Sequence, residues 1–141
     1  MYTYQYPHPA VTTDCVIFGY DVREGLSILL VQRGIDPYKG RWAFPGGFLQ
    51  MDEDADTGAR RELKEETGFE AASIRQFGTF TAVDRDPRER VITIAYMALV
   101  RKGGVQGGDD AVDAARRIPQ TYRFNPQKYG ELKQSGFRLE F

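Results

Sequence analysis

The stretch that decides the reading of this chain is residues 47–69, Gly47-Phe48-Leu49-Gln50-Met51-Asp52-Glu53-Asp54-Ala55-Asp56-Thr57-Gly58-Ala59-Arg60-Arg61-Glu62-Leu63-Lys64-Glu65-Glu66-Thr67-Gly68-Phe69. Acidic residues crowd one end and Gly68 stands just past the other, which predicts a helix over Asp52–Thr67. Helical spacing places Glu62, Glu65 and Glu66 on one face, related by i, i+3 and i, i+4. Gly58 falls one turn below Glu62 on that face, leaving room for close approach. Ala55, Ala59 and Leu63 make the adjoining apolar stripe that packs the helix down. Two glutamates at i, i+4 repel by a few tenths of a kcal/mol, so a helix selected for stability alone would carry a base at one of them. A solvated acidic face is the plain alternative. Against it stand the clustering, the small residue and the Gly46-Gly47 corner. Carboxylates without basic partners on their own face suit a hard divalent cation, Mg²⁺ or Mn²⁺, and Mg²⁺ shares its shell readily with phosphates.

Outward from this segment the chain is mostly β. Trp42–Phe48 reads as a short apolar strand running into the Gly-Gly corner. Ala10–Tyr20 and Leu26–Arg33 read as strands of a hairpin turned at Asp21–Gly25, with Cys15 a small buried hydrophobe in the first. Ala71–Val83 and Val91–Arg101 are β-rich and flank the charged stretch Asp84–Arg90. Gly103, Gly104, Gly107 and Gly108 make a connection, and Asn125-Pro126 with Gly136 frames a second helix over Asn125–Ser135. Met1–Pro9 is an extended arm in which Tyr2, Tyr4 and Tyr6 alternate; it is either a loose tail or a strand given to a partner. Strands around two helices imply an α/β (α+β) sandwich with a mixed sheet, one domain over residues 1–141.

Composition narrows the class. The 141 residues are 41% hydrophobic and 28% charged, the balance of an ordinary globular domain. Nineteen basic residues nearly cancel twenty acidic ones, so no global charge draws the chain to nucleic acid or to an anionic membrane. No apolar run approaches the roughly 20 residues of a bilayer span. A single cysteine, together with an N-terminal decapeptide lacking Lys, Arg and apolar runs, points to a cytoplasmic protein without a signal peptide.

Glycine, five residues, glutamate, seven residues, then Arg-Glu-aliphatic-x-Glu-Glu-x-Gly-hydrophobic over residues 47–69 resembles the Nudix box, with every fixed position filled. Chance would produce such a match in on the order of one chain in a million, so the motif is specific. The resemblance takes in the preceding hairpin, the Trp42-x-x-Pro45-Gly46-Gly47 lead-in and the following β segments, and implies the Nudix α/β/α sandwich. By that resemblance Glu65 and Glu66 are direct metal ligands, and Glu62 is a ligand through water or the general base. Gly46 lends its carbonyl to the metal, and Glu53 and Arg61 form a structural salt bridge. The cofactor implied is Mg²⁺, with Mn²⁺ an alternative. The reaction implied is hydrolysis of a nucleoside diphosphate linked to another group. A fourth acid from outside the box is usual in the family; Asp86, Glu89, Asp109, Asp110 and Asp113 are candidates, with Asp110 favoured.

Shorter patterns look like the branch that holds ADP-ribose pyrophosphatases and ADP-ribose-sensing repressors. They are Arg33-Gly34 with Pro37-Tyr38-Lys39-Gly40-x-Trp42, Asp84-Arg85-Asp86-Pro87-Arg88-x-Arg90-Val91, and Gly107-Gly108-Asp109-Asp110-Ala111. Arg33, Trp42, Arg85, Arg88 and Arg90 are then the candidate substrate contacts, the arginines as forked donors to phosphate. Tyr38 and Trp42 either stack on adenine or pack. The branch commonly places a Trp near position 116, where this chain has Arg116-Arg117-Ile118, and the tail from Pro119 onward matches nothing. The expected activity is conversion of ADP-ribose to AMP and ribose 5-phosphate, with a nucleoside triphosphate or dinucleoside polyphosphate as alternative substrates. A non-catalytic ADP-ribose-sensing repressor is disfavoured by the intact box and by the absence of a basic helix or of room for a winged helix. The expected partners are a small-molecule nucleotide and, by family resemblance, a second copy of the chain in a homodimer.

Overall fold

The computed structural model describes residues 1–23, 25–34, 38–101, 119–123 and 127. Its strands are β1 (Ala10–Asp21), β2 (Gly25–Gln32), β3 (Trp42–Ala43), β4 (Gly46–Phe48), β5 (Arg75–Phe80), β6 (Val91–Arg101) and β7 (Pro119–Arg123), with one helix, α1 (Ala55–Thr67), between β4 and β5. They form a mixed seven-stranded sheet ordered β3-β2-β1-β6-β5, with β4 also on β1 and β7 also on β2. This is the expected α/β class. The second helix expected over Asn125–Ser135 and the Gly103–Gly108 connection lie outside the described residues.

The spine is the parallel pair β1·β6, in register from Ala10↔Val91 to Tyr20↔Arg101. It is anchored internally by Thr12 and Thr93, whose hydroxyls meet at 2.7 Å. β1 and β2 form the antiparallel hairpin, with Phe18 opposite Ile28 and Asp21 opposite Gly25. Strand alternation sends Cys15 and Ile17 of β1 and Tyr96 and Ala98 of β6 to one face, where α1 covers them with Ala59 and Leu63. Leu63 is 1% exposed, and burying such a side chain contributes about 1.5–3 kcal/mol. Cys15 is fully buried there, and burial pushes its thiol up to about 12. The other face turns Asp14, Val16, Thr93 and Ala95 toward a cavity.

Three sequence expectations need correcting. The helix begins at Ala55, not Asp52, because Asp54 is the N-cap and its side chain accepts from the Thr57 N–H at 2.8 Å. The Trp42–Phe48 strand is two strands: Pro45 has no N–H to lend a ladder, and the chain passes there from pairing with β2 to pairing with β1. Of Ala71–Val83 only Arg75–Phe80 is strand. The helix stop is as expected, with Gly68 left-handed at φ 69° and its N–H on the Lys64 carbonyl. Residues 1–8 are exposed, Pro9 is half-buried, and none of them joins a strand; the Tyr4 hydroxyl reaches the Met51 sulfur at 3.5 Å.

Candidate active site

β4 and α1 meet closely at the Gly46-Gly47 corner. The Gly46 N–H donates to Glu66 Oε2 at 3.0 Å. A Cβ on Gly47 would stand 2.5 Å from Glu62 Oε1, so the missing side chain is the space that the Glu62 carboxylate occupies. Gly46 is constrained more firmly, since a Cβ there would run into the Thr13 backbone carbonyl and stand 2.5 Å from Asp14 Oδ1. Gly47 is thus a cradle for the Glu62 carboxylate, while Gly46 lets β4 lie close on β1 and offers its N–H to Glu66.

Arg61 organises the same corner. Its guanidinium bonds Glu53 at 2.6 and 3.0 Å, Glu62 at 2.8 Å and Glu65 at 3.1 Å, and it reaches the Phe48 carbonyl at 3.3 Å. Glu53 also accepts from the Gln50 N–H at 2.9 Å. The Glu53–Arg61 pair therefore staples the loop after β4 to the helix. The hydrogen bonds from Arg61 and Gln50 hold the Glu53 carboxyl down at about 2, and Glu53 in turn holds Arg61 charged. Here the sequence expectation of carboxylates lacking basic partners is overturned, since Arg61 curls back onto Glu62 and Glu65. Gly58 also has a different reason: a Cβ there would meet Leu49 Cδ1 at 2.6 Å, so it admits the loop and not a ligand.

Among the described residues no three Asp, Glu, His or Cys side chains converge as a ready cation cage. The donor set still suits a hard cation in kind, with Glu62, Glu65, Glu66 and the Gly46 carbonyl at one corner. Such an ion would compete with the Arg61 hydrogen bonds to Glu62 and Glu65.

Beside this corner lies a cavity of about 600 Å³ lined by Asp14, Arg33, Tyr38, Arg41, Trp42, Phe44, Gly46 and Arg85 among others. That volume is in the range of nucleotide and cofactor sites. Arg85 Nε is buried with no hydrogen-bond partner, an orphan donor that calls for an acceptor. The other two loop arginines are engaged elsewhere. Arg88 binds Asp86 at 2.7 and 3.0 Å and lies 5.5 Å over the Phe48 ring; Arg90 donates to the Thr81 and Ala82 carbonyls at 2.8 and 2.9 Å. The hydrogen bonds from Arg88 hold the Asp86 carboxyl down at about 2.

Of the sequence candidates, then, Gly46, Arg33, Trp42 and Arg85 line one cavity, with Glu66 bonded to its Gly46 wall. Arg88 and Arg90 are not among its lining residues. Asp110 lies outside the described residues, as do Asp109 and Asp113. Asp14 and Arg41 were missed. A carboxylate between Thr13 and Cys15 in a largely apolar strand was a signal for Asp14, which is half-buried there on the cavity face.

A NUDIX domain model matches residues 8–121. The chain is 39% identical over 109 residues to an ADP-ribose pyrophosphatase of Methanocaldococcus jannaschii, covering 77% of this chain and 62% of that one. It is 39% identical over 97 residues to the ADPR responsive transcriptional repressor NtrR of Acinetobacter baylyi, covering 67% of this chain and 38% of that one. The chain thus spans less than two thirds of each of these relatives. Among solved structures it resembles the NUDIX domain of Shewanella oneidensis NrtR complexed with ADP ribose, at TM-score 0.71 and 28% identity, over 92% of this chain and 79% of that one. No described helix is long and apolar enough to cross a membrane.

Proposed function

The chain belongs to the NUDIX family, and on that footing we propose that it hydrolyses the diphosphate of a nucleoside diphosphate sugar, ADP-ribose first, to AMP and ribose 5-phosphate. The observation that carries this is the buried, unpartnered Nε of Arg85 in a 600 Å³ cavity whose Gly46 wall is bonded to Glu66. A phosphate oxygen is the acceptor such a guanidinium fits best. Similarity to an ADP-ribose pyrophosphatase and to an ADP-ribose complex supports the choice of sugar nucleotide.

Glu65, Glu66 and the Gly46 carbonyl, with Glu62 directly or through water, would hold a divalent cation, Mg²⁺ or Mn²⁺. Such an ion supplies charge neutralisation at phosphorus and a more acidic water. The chain's own groups do the rest. Arg85, with Arg33 and Arg41 on the same cavity, binds and orients the diphosphate. Glu62, pressed into the Gly47 cradle and steadied by Arg61, removes a proton from the attacking water. The Glu53–Arg61 staple keeps the helix in register with the loop and touches no substrate. Trp42 and Phe44 supply apolar wall.

The test is a substrate panel with chromatographic identification of products. AMP and ribose 5-phosphate from ADP-ribose are expected. A hundred-fold preference for deoxynucleoside triphosphates would replace this reading with the triphosphate one. A second reading, an ADP-ribose-sensing regulator, is favoured by the similarity to NtrR and NrtR proteins; it predicts ADP-ribose binding without turnover. A homodimer and a cytoplasmic location remain part of the proposal, checked by light scattering and by fractionation.

A further inference from the structure

The loop between β2 and β3 carries a backbone anomaly at the cavity. Tyr38 sits at φ 69°, the one non-glycine residue with positive φ among those described. A bulky aromatic in the left-handed region is strained, and such strain persists where surrounding contacts impose it. Here they do. The Arg33 N–H donates to the Arg41 carbonyl at 2.8 Å, the Gly40 N–H to the Arg33 carbonyl at 2.8 Å, and the Arg41 N–H to the Tyr38 carbonyl at 3.0 Å. Gln32 Nε2 adds a bond to the Gly40 carbonyl at 2.9 Å. The loop is closed like a clasp, and Tyr38 is its strained member.

The strain does not serve burial, because Tyr38 is 48% exposed while lining the cavity. The Arg41 guanidinium lies 5.1 Å from its ring centroid, within cation–π range. Trp42, 37% exposed, follows on the same wall. An aromatic ring fixed by its backbone, backed by a cation and open toward a cavity is a platform for a flat ligand.

We propose that Tyr38 is a specificity-determining residue that stacks on the nucleobase of the substrate, its left-handed backbone and Arg41 holding the ring in position. This rests on the reading of the cavity as a nucleotide site. The base, and not the sugar phosphate leaving group, then lies on the β2–β3 loop, with the diphosphate between that loop and the Gly46 corner. Selectivity for nucleotides over base-free sugar diphosphates follows.

The test uses the full chain, calorimetric binding of AMP and of ribose 5-phosphate, and thermal unfolding, on wild type, Tyr38→Asn and Tyr38→Phe. Asn tolerates the left-handed backbone, so Tyr38→Asn removes the ring without opening the clasp, and its melting temperature holds or rises. AMP affinity should fall about five- to a hundred-fold in Tyr38→Asn, the worth of one base–aromatic stack. Ribose 5-phosphate affinity should be unchanged, and Tyr38→Phe should bind AMP as wild type does. AMP affinity undiminished in Tyr38→Asn, or an equal loss of both ligands, overturns the platform. Wild type binding neither ligand overturns the nucleotide-site reading beneath it, an outcome distinct from the first two.

Discussion

Replacing Gly47 by Ala adds one methyl group at the point where strand and helix meet. An ideal Cβ there would lie 2.5 Å from Glu62 Oε1, 2.6 Å from its Cδ and 2.7 Å from Oε2. Ordinary contacts begin near 3.4 Å, so the carboxylate must retreat by about 1 Å. Gly47 is not among the positive-φ glycines, so the backbone accepts Ala and only the carboxylate objects. The obstruction is the far end of a flexible side chain, which puts the stability cost near the bottom of the overpacking range, about 1 kcal/mol. That corresponds to a melting shift of about 3–5 °C for a domain of this size. A catalytic group displaced by about 1 Å loses on the order of a hundred-fold in rate. Steady-state hydrolysis of ADP-ribose and thermal unfolding, measured on the same preparation, should therefore diverge: kcat/KM falls on the order of a hundred-fold while the fold survives. A folded Gly47→Ala protein with undiminished kcat/KM would show that the position of Glu62 is irrelevant to the chemistry and would refute the cradle argument.

Arg85→Ala should lower kcat/KM about ten- to a hundred-fold, the worth of a charge-assisted contact of roughly 1.5–3 kcal/mol. Its stability should hold, since Arg85 Nε has no partner to lose. Arg90→Ala should do the opposite, lowering the melting temperature through the lost Thr81 and Ala82 bonds with little kinetic change. Glu53→Gln should alter the acid side of the stability curve. The Glu53 carboxyl is lowered from 4.5 to about 2 by its Arg61 and Gln50 hydrogen bonds. Its contribution is therefore complete above the ordinary value of 4.5 and lost as pH falls toward 2. The stability difference between wild type and Glu53→Gln should be flat above pH 5 and shrink below it; a difference that grows on acidification would contradict the pairing.

The long elements were legible because their patterns are long. Val91–Arg101 is read residue for residue as β6, and the β1–β2 hairpin is set by two apolar runs around a polar turn. Gly68 marks the helix end because a left-handed stop favours glycine. The helix start was ambiguous, since Asp52 and Asp54 are both competent caps and only the Thr57 hydrogen bond decides. Arg61 was legible and passed over: its i, i+4 spacing to Glu65 already sets it beside the glutamate face, and its long side chain also reaches the adjacent Glu62. The charge of Asp14 in β1 was a signal, but which face of β1 carries the cavity depends on where α1 docks, a tertiary fact. The backbone strain at Tyr38 leaves no trace in residue type at all, because nothing in the sequence marks a tyrosine for positive φ.

If the carboxylate corner performs hydrolysis, turnover of ADP-ribose with Mg²⁺ by wild type, Glu66→Gln and Lys64→Ala will separate the three proteins. Glutamine keeps the acceptor for the Gly46 N–H and the size of the side chain, so the fold should hold. Lys64 pairs with Glu70 away from the corner and serves as the control. AMP and ribose 5-phosphate are expected from wild type and Lys64→Ala at similar rates, with a loss of orders of magnitude in Glu66→Gln. A Glu66→Gln protein as active as wild type would contradict hydrolysis by that corner.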